Sequence, residues 1–407
     1  MVRAHQITAG FMPLLDAAVV VAAKEKGFAE AEGVDLTLIR ETSWANIRDR
    51  LAVGHFEVAH VLGPMPIACN LGLTPLTVPV IVPMALGLGG NAVTVSNSLW
   101  AEMVEFGAKA DFDPETTGRA LAGVLAQRTA AGAPTLRFAV VHPYSGHGYE
   151  LRYWLAACGL DPSRQIEIVI VPPPLMADAL ANGSIDGYCV GEPWNTAAVL
   201  QGRGHIATIK AAIWRSSPEK VLAAGAKWAL DNPDALEALI RALCKAAQWC
   251  GVPQNRNELA ALLSGGAYLA RPAAWMLPAL SGNLYAGPSV VCPVQDFFVP
   301  FAKAATFPWK SHALWFYSQM VRWGQLAHTD ANAAIARDTY RPDLYRAALK
   351  PLGVALPVAN AKVEGALKVA TPVGSAGASL MLGPDGFFDG GLFDPDRLDA
   401  YIDFQRR

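Results

Sequence analysis

The sequence predicts an α/β protein built as two lobes with a ligand cleft between them. Three observations lead to that class. First, 407 residues exceed what one compact core normally holds, so two lobes plus a tail is the expected division. Second, hydrophobic residues make up 52% of the chain and charged residues 17%, a balance that favours a packed protein over a disordered one. Third, short apolar strand-like runs alternate with helix-period stretches twice in succession, the order of a mainly parallel sheet.

The elements read in order. Ile7 to Met12 is a strand, Leu14 to Gly33 a helix stopping at glycine, and Val34 to Ile39 a second strand. Trp44 to Gly54 is a helix with Ile47 and Leu51 on one face, and Glu57 to Leu62 a third strand. Pro64 to Leu73 is a helix with prolines near its start, where a missing N–H costs little. The pattern repeats after residue 90. A strand at 92–99 precedes a helical stretch at 101–133 with a turn near Asp113-Pro114. Thr135 to Val141, Ile166 to Val171 and Gly187 to Gly191 are strands. Between them lie a helix with Leu151, Trp154, Leu155 and Cys158 on one face, and another at Leu175 to Asn182. A strand near Val221 leads into helices at 227–231, 234–250 and 256–264, and 266–350 reads as largely helical. The expected lobes are 1–88 with 214–350, and 89–213, followed by a Gly-, Pro- and Asp-rich wrapping tail at 351–407.

Charge and cysteine usage narrow the function. With 33 basic against 35 acidic residues, the net charge of −2 gives no basic surface for nucleic acid. Any anion site must be local, built from a few residues in a cleft. The six cysteines form no CxxC pair and no zinc-type spacing with histidine, so no metal site is expected. Scattered single cysteines suit a reducing compartment. Residues 17–23 are apolar but sit between Asp16 and Lys24, and read as a first helix rather than an export signal. If Met1 is the true start, a cytoplasmic protein is expected; a signal peptide upstream would make it periplasmic. The apolar run 76–89 is broken by Pro79 and Pro83, and no run reaches the roughly 20 residues of a membrane span.

Three helix starts offer backbone N–H groups to an anion: Thr42-Ser43-Trp44, Pro64-Met65-Pro66 and Pro143-Tyr144-Ser145-Gly146-His147. Each has an ordinary counterpart. Such starts occur in every α/β protein. His147, one turn before Leu151, would more often be a buried histidine bonded to a carbonyl. Trp44 would more often be core. Lys220, at the entry to an apolar strand, would usually be solvated or paired with Glu219. Gly87-Leu88-Gly89-Gly90-Asn91-Ala92 mimics a dinucleotide fingerprint, but a strand follows it instead of a helix, so it reads as a hinge. GxSxG, HExxH and Walker patterns are missing, which points to a binding protein and not an enzyme.

Several segments in fixed order carry a family resemblance. They are Ser43-Trp44-Ala45-Asn46-Ile47-Arg48-Asp49, His60-Val61-Leu62-Gly63-Pro64-Met65-Pro66-Ile67-Ala68, Pro143-Tyr144-Ser145-Gly146-His147 and Leu151-Arg152-Tyr153-Trp154-Leu155. Val171-Pro172-Pro173-Pro174, Gly191-Glu192-Pro193-Trp194-Asn195, Pro218-Glu219-Lys220 and Phe307-Pro308-Trp309-Lys310-Ser311-His312-Ala313 complete them. The chain resembles, from about residue 5 to about residue 350, the nitrate- and bicarbonate-binding receptors of ABC transporters and their cytoplasmic nitrate-sensor relatives of the NasS type. The resemblance implies a two-lobed, periplasmic-binding-protein-like (type II) fold without cofactor.

The resemblance also implies that the anion is held by a Trp, an amide, a His and a Lys, which fall here on Trp44, Asn91, His147 and Lys220. Pro64, Ser145, Gly146 and Gly191 are expected around them. Asn91 stands where Gln is usual and is one methylene shorter, and Gly146 is smaller than usual. Lys220 supplies charge, His147 and Asn91 supply N–H donors, and Trp44 supplies a flat wall, a set suited to planar nitrate or nitrite. Family bicarbonate receptors look metal-assisted, with an acidic residue at the position of Lys220, so bicarbonate ranks below nitrate. Pyrimidine-synthesis enzymes share the general fold but need a histidine and a pyridoxal-type pocket not found here. The expected role is a cytoplasmic nitrate/nitrite sensor controlling an RNA-binding antiterminator. The alternative is a transport receptor whose partner is an ABC permease. Replacing Lys220 by Ala is expected to weaken nitrate roughly tenfold to a hundredfold and to leave the stability of the ligand-free protein little changed.

Overall fold

The structure is a computed structural model that describes residues 4–405 except residue 76. Ten strands form two five-stranded sheets. The first sheet takes β1 (His5–Phe11), β2 (Val34–Arg40), β3 (Val58–Leu62) and β4 (Val80–Ala85). The second takes β5 (Asn91–Ser96), β6 (Leu136–Val140), β7 (Ile166–Ile170), β8 (Gly187–Gly191) and β9 (Gly204–Ile209). The chain then returns, and β10 (Lys220–Gly225) completes the first sheet. The orders are β2-β1-β3-β10-β4 and β7-β6-β8-β5-β9. In each, three parallel strands lead, and the strand arriving from the other half inserts antiparallel in fourth place. The α/β, two-lobed class is as expected, but the sheets expected to be mainly parallel each have two parallel and two antiparallel pairings, because the strand from the other half inserts antiparallel.

The helices that matter for the site follow the parallel strands. They are α1 (Ala18–Glu25), α2 (Trp44–Ala52) after β2, α3 (Pro64–Asn70) after β3 and α4 (Gly146–Ala157) after β6. Ser43 and Ser145 cap α2 and α4 by accepting from the backbone N–H three residues on, at 3.2 and 3.0 Å. A single turn, α5 (Lys210–Ile213), lies on the return path to the first sheet. On the outward path Gly87, Gly89 and Gly90 have φ of 126°, 74° and 90°. A Cβ at Gly89 would sit 2.2 Å from the carbonyl oxygen of Phe297, so only glycine fits there.

Several sequence readings need adjustment. Strand β4 lies in the apolar run 76–89, to which the sequence reading assigned no element. It is an edge strand, and the register against β10 shifts between Leu222 and Ala224, opposite the stretch containing Pro83. An edge position beside such an irregularity tolerates proline. Strand β9, also an edge, is likewise additional. The strand expected at 92–99 stops at Ser96, which caps a helix at Asn97–Glu105. The helix expected over 14–33 breaks at Gly27, with φ of 71°. The stretch 266–350 contains a hairpin, Asn283–Gly287 with Val290–Pro293, before its helices begin again.

The C-terminal segment packs against both halves. Phe387 stacks on Trp214 with centroids 4.6 Å apart, and lies 6.2 Å from Trp315 of α6 (Lys310–Arg322). Asp389 accepts from the hydroxyl of Tyr153 on α4 at 2.9 Å. Glu364, fully buried, accepts from Ser311 at 2.7 Å and pairs with Lys362. The final helix, Leu398–Gln405, also packs on α6. Among the described residues no helix is long and apolar enough to cross a membrane. Because Phe387 fills an aromatic cluster, Phe387→Ala should destabilise the protein by about 3–5 kcal/mol in denaturant unfolding. A loss below about 1 kcal/mol would show that the segment is not part of the core.

Candidate functional site

Lys220 opens β10 opposite Leu62, the last residue of β3, and Asn91 opens β5 opposite Gly191, the last residue of β8. Trp44 opens α2 beyond β2, and His147 is the second residue of α4 beyond β6. Alternating α/β order thus brings four distant residues to the carboxyl edges of both sheets, where such folds place ligands. All four are buried, between 0 and 1% exposed.

An ion chain runs through them. Lys220 Nζ lies 2.8 Å from Asp16 Oδ2 and 2.7 Å from Glu219 Oε1, and 5.6 Å above the Trp44 ring. The other oxygen of Asp16 meets His60 Nε2 at 2.9 Å. Glu219 Oε2 accepts from Lys210 Nζ, which also donates to the Pro218 carbonyl at 2.6 Å and lies 2.9 Å from Glu150 Oε1. His147 Nδ1 is 3.6 Å from Glu219 Oε1, beyond hydrogen-bond reach.

Electrostatics follow from burial against these partners. Burial opposes the charge of Lys220, but Asp16 and Glu219 outweigh it and hold the ammonium group above its usual range. Burial pushes both carboxyls up, but Lys220 with His60 at Asp16, and Lys210 with Lys220 at Glu219, bring them down overall. Burial drives His147 down to about 3 despite Glu219, so its ring is neutral near pH 7 and offers one N–H donor.

Against this ordered chain stand polar groups with no internal partner: Trp44 Nε1, both side-chain atoms of Asn91 and both ring nitrogens of His147. Buried polar groups are normally bonded, and each unmade bond costs roughly 1–3 kcal/mol. Several such groups around one ammonium make a place for an acceptor.

The remaining expected residues sit nearby in different ways. Gly191 faces Asn91 Oδ1 and Asp16 Oδ2, which lie 3.2 and 3.4 Å from where its Cβ would be. Gly146 is closer still: a Cβ there would stand 2.7 Å from Glu219 Oε2. The small residue therefore gives room to that carboxylate. The Ser145 hydroxyl is used locally, donating to the His142 carbonyl at 2.7 Å and capping α4. Pro64 is buried behind Gly63, whose N–H donates to the Glu219 carbonyl at 2.9 Å. Asp16, His60, Glu150 and Lys210 were not anticipated. Two faint signals existed: Asp16 adjoins an apolar run, and Glu150 lies three residues beyond His147.

The fold is that of the periplasmic binding proteins, and the buried polar groups meet where its two sheets face each other. A profile described as "NMT1-like family" matches residues 3–264, and the chain belongs to that family. Among relatives, the nitrate/nitrite binding protein NrtA of Synechococcus elongatus is 34% identical, covering 98% of this chain and 85% of that protein. The bicarbonate-binding protein CmpA of the same organism is 30% identical over 97% and 85%. The nitrate import ATP-binding protein NrtC of Synechocystis is 34% identical over 84% of this chain but 50% of that longer protein. The crystal structure of the periplasmic nitrate-binding protein NrtA from Synechocystis superposes with a TM-score of 0.85 at 28% identity, covering 98% of both chains.

The geometry corrects one expectation. Lys220 is not a lone cleft charge whose removal the ligand-free protein tolerates. Lys220→Ala leaves Asp16 and Glu219 buried with their common ammonium gone, and should cost about 3–5 kcal/mol of ligand-free stability. Thermal unfolding checks this; an unchanged melting temperature would contradict the ion chain.

Proposed function

We propose that the chain is the substrate-binding receptor of an anion transporter, holding one nitrate or nitrite ion between its lobes, and is not an enzyme. The observation that carries this reading is the set of unpartnered donors on Trp44, Asn91 and His147 around the buried ammonium of Lys220. A planar monoanion accepts from all of them at once. The charge of Lys220 is already shared with two carboxylates, so a dianion such as sulfate would add more repulsion than the site can offset. Bicarbonate ranks below nitrate because Lys220 would repel the metal that an acidic residue there would recruit.

Binding would be followed by closure. We take residues 1–88 with 214–350 as one lobe and 89–213 as the other. In this arrangement Leu15 N–H donates to the Glu192 carbonyl at 2.8 Å, and the Tyr144 hydroxyl to the Leu73 carbonyl at 3.0 Å. An anion touching both sides favours the state in which these bonds form. The names of the relatives support the transport role over the sensor role that the sequence had placed first. Full-length relatives are named as binding proteins, and another as an import ATPase. A permease of the ABC type is therefore the proposed partner. None of the relatives named above points to an antiterminator, and cytoplasmic placement rests on the reading of the N-terminal residues and the scattered single cysteines.

Trp44→Phe removes one N–H donor and keeps an aromatic wall. It should weaken nitrate about three- to tenfold, the worth of one neutral hydrogen bond, with ligand-free stability unchanged or slightly raised. Calorimetry with nitrate, nitrite, bicarbonate and sulfate, with and without a chelator, is the check. Unchanged nitrate affinity in Trp44→Phe, or nitrate binding abolished by the chelator, would contradict the reading.

A further inference from the structure

Behind His147 three carboxylates face two ammonium groups. Asp16 and Glu219 balance Lys220 and Lys210, and all four are buried. Glu150, one turn beyond His147 on α4, is the third carboxylate and is 1% exposed. Its Oε1 lies 2.9 Å from Lys210 Nζ, yet neither of its oxygens completes a hydrogen bond. Two of the three N–H groups of Lys210 go to the Pro218 carbonyl and to Glu219, so Glu150 shares an ammonium that already has a carboxylate partner. An ionised Glu150 would therefore add an uncompensated negative charge to the cluster, and an arriving monoanion would add another. Such charges are costly away from water.

We infer that Glu150 is a positioning residue that acts through Lys210 and Glu219, holding a proton in the anion-bound protein so that anion uptake is coupled to protonation of this carboxyl. The inference rests on the anion-site reading above. It adds a group that touches no ligand but sets the charge of the ones that do. A neutral Glu150 leaves Lys210 to Glu219, and Glu219 then holds Lys220 against Asp16.

The surroundings make Glu150 the cluster's titrating group above neutrality. Lys210 faces it from α5, Glu219 and Lys220 from the entry of β10 and the Cys189 thiol from β8, and His147 stands three residues before it on the same helix. Burial is the largest influence on Glu150; with Glu219 it outweighs the two lysines and pushes the carboxyl up to about 8. His147 is already neutral in that range, and burial holds the Cys189 thiol well above it. Glu192, pushed up by burial to about 7, titrates at the lower edge of the window and is intact in a Glu150 variant.

The sign follows. Below about pH 8 ligand-free and bound protein both carry the proton, and affinity is level. Above it the ligand-free protein has lost a proton that the complex needs, so affinity falls, by at most about tenfold between pH 7 and 9. Nitrate titrations of wild type and Glu150→Gln at pH 7 and 9 test this. Wild type should weaken several-fold over that span, and in Glu150→Gln the ratio should fall below about twofold. Wild-type calorimetry at pH 8.5 in buffers of different ionisation enthalpy needs no variant, and should count most of one proton taken up per nitrate. No proton uptake, or the same ratio in both proteins, overturns the inference. Failure of wild type to bind nitrate even at pH 7 would instead overturn the anion-site reading beneath it.

Discussion

The site depends on the Glu219 carboxylate. One oxygen holds Lys210 and the other Lys220, so a single buried group fixes both ammonium ions. Its backbone is fixed too, since its carbonyl accepts from Gly63 N–H at the start of α3. Its position is possible because Gly146 has no side chain to displace it. Remove Glu219, and Lys220 is left to Asp16, and Lys210 to Glu150 and the Pro218 carbonyl. Breaking a buried pair in this way is far more costly than never having built it. The ion chain therefore fixes the surroundings of Trp44, Asn91 and His147 while leaving their polar atoms unbonded.

A second division of labour lies in which groups are left unpaired. Lys220, Asp16, Glu219 and Lys210 satisfy one another, and hold the edges of β10, β3 and the return path together. Trp44, Asn91 and His147 come from elements on both sheets and end in polar atoms without internal partners. Under the proposed function, stability resides in the first group and recognition in the second. The glycines at 87, 89 and 90 and the return path through Lys210 are the two covalent links between the sheets. The C-terminal segment adds a non-covalent link through Phe387 and Asp389.

Much of this was legible from residue order. Strand and helix periods pointed to two α/β halves, and the family resemblance placed the site on Trp44, Asn91, His147 and Lys220, which the fold brings to the carboxyl edges of the two sheets. The ion-chain partners were not legible for a physical reason. Asp16, Glu150 and Lys210 look like ordinary charges near helix ends, and only the tertiary fold brings them within 3 Å of a counter-charge. Lys220 shows the limit from the other side. Its pairing with Glu219 was the ordinary reading for a lysine beside a glutamate, and the pair forms. Burial alone changes its meaning, and burial is not written in a dipeptide. Strand β4 was left unread in the apolar run 76–89; Pro83 would count against a central strand, but at a sheet edge beside a register shift it is permitted. The segment 351–407 read as a wrapping tail because it is rich in Gly, Pro and Asp, and within it Phe387 belongs to the core.

The central claim is that the unpartnered donors meet the anion directly. The most direct measurement is the nitrogen–proton NMR spectrum of the tryptophan indole groups during a nitrate titration. Eleven tryptophans give a tractable set, and the Trp44 signal is assigned by its loss in Trp44→Phe. The account predicts that the Trp44 indole proton moves downfield and saturates with the same midpoint as calorimetric binding. A Trp44 signal that stays fixed while nitrate binds would contradict it.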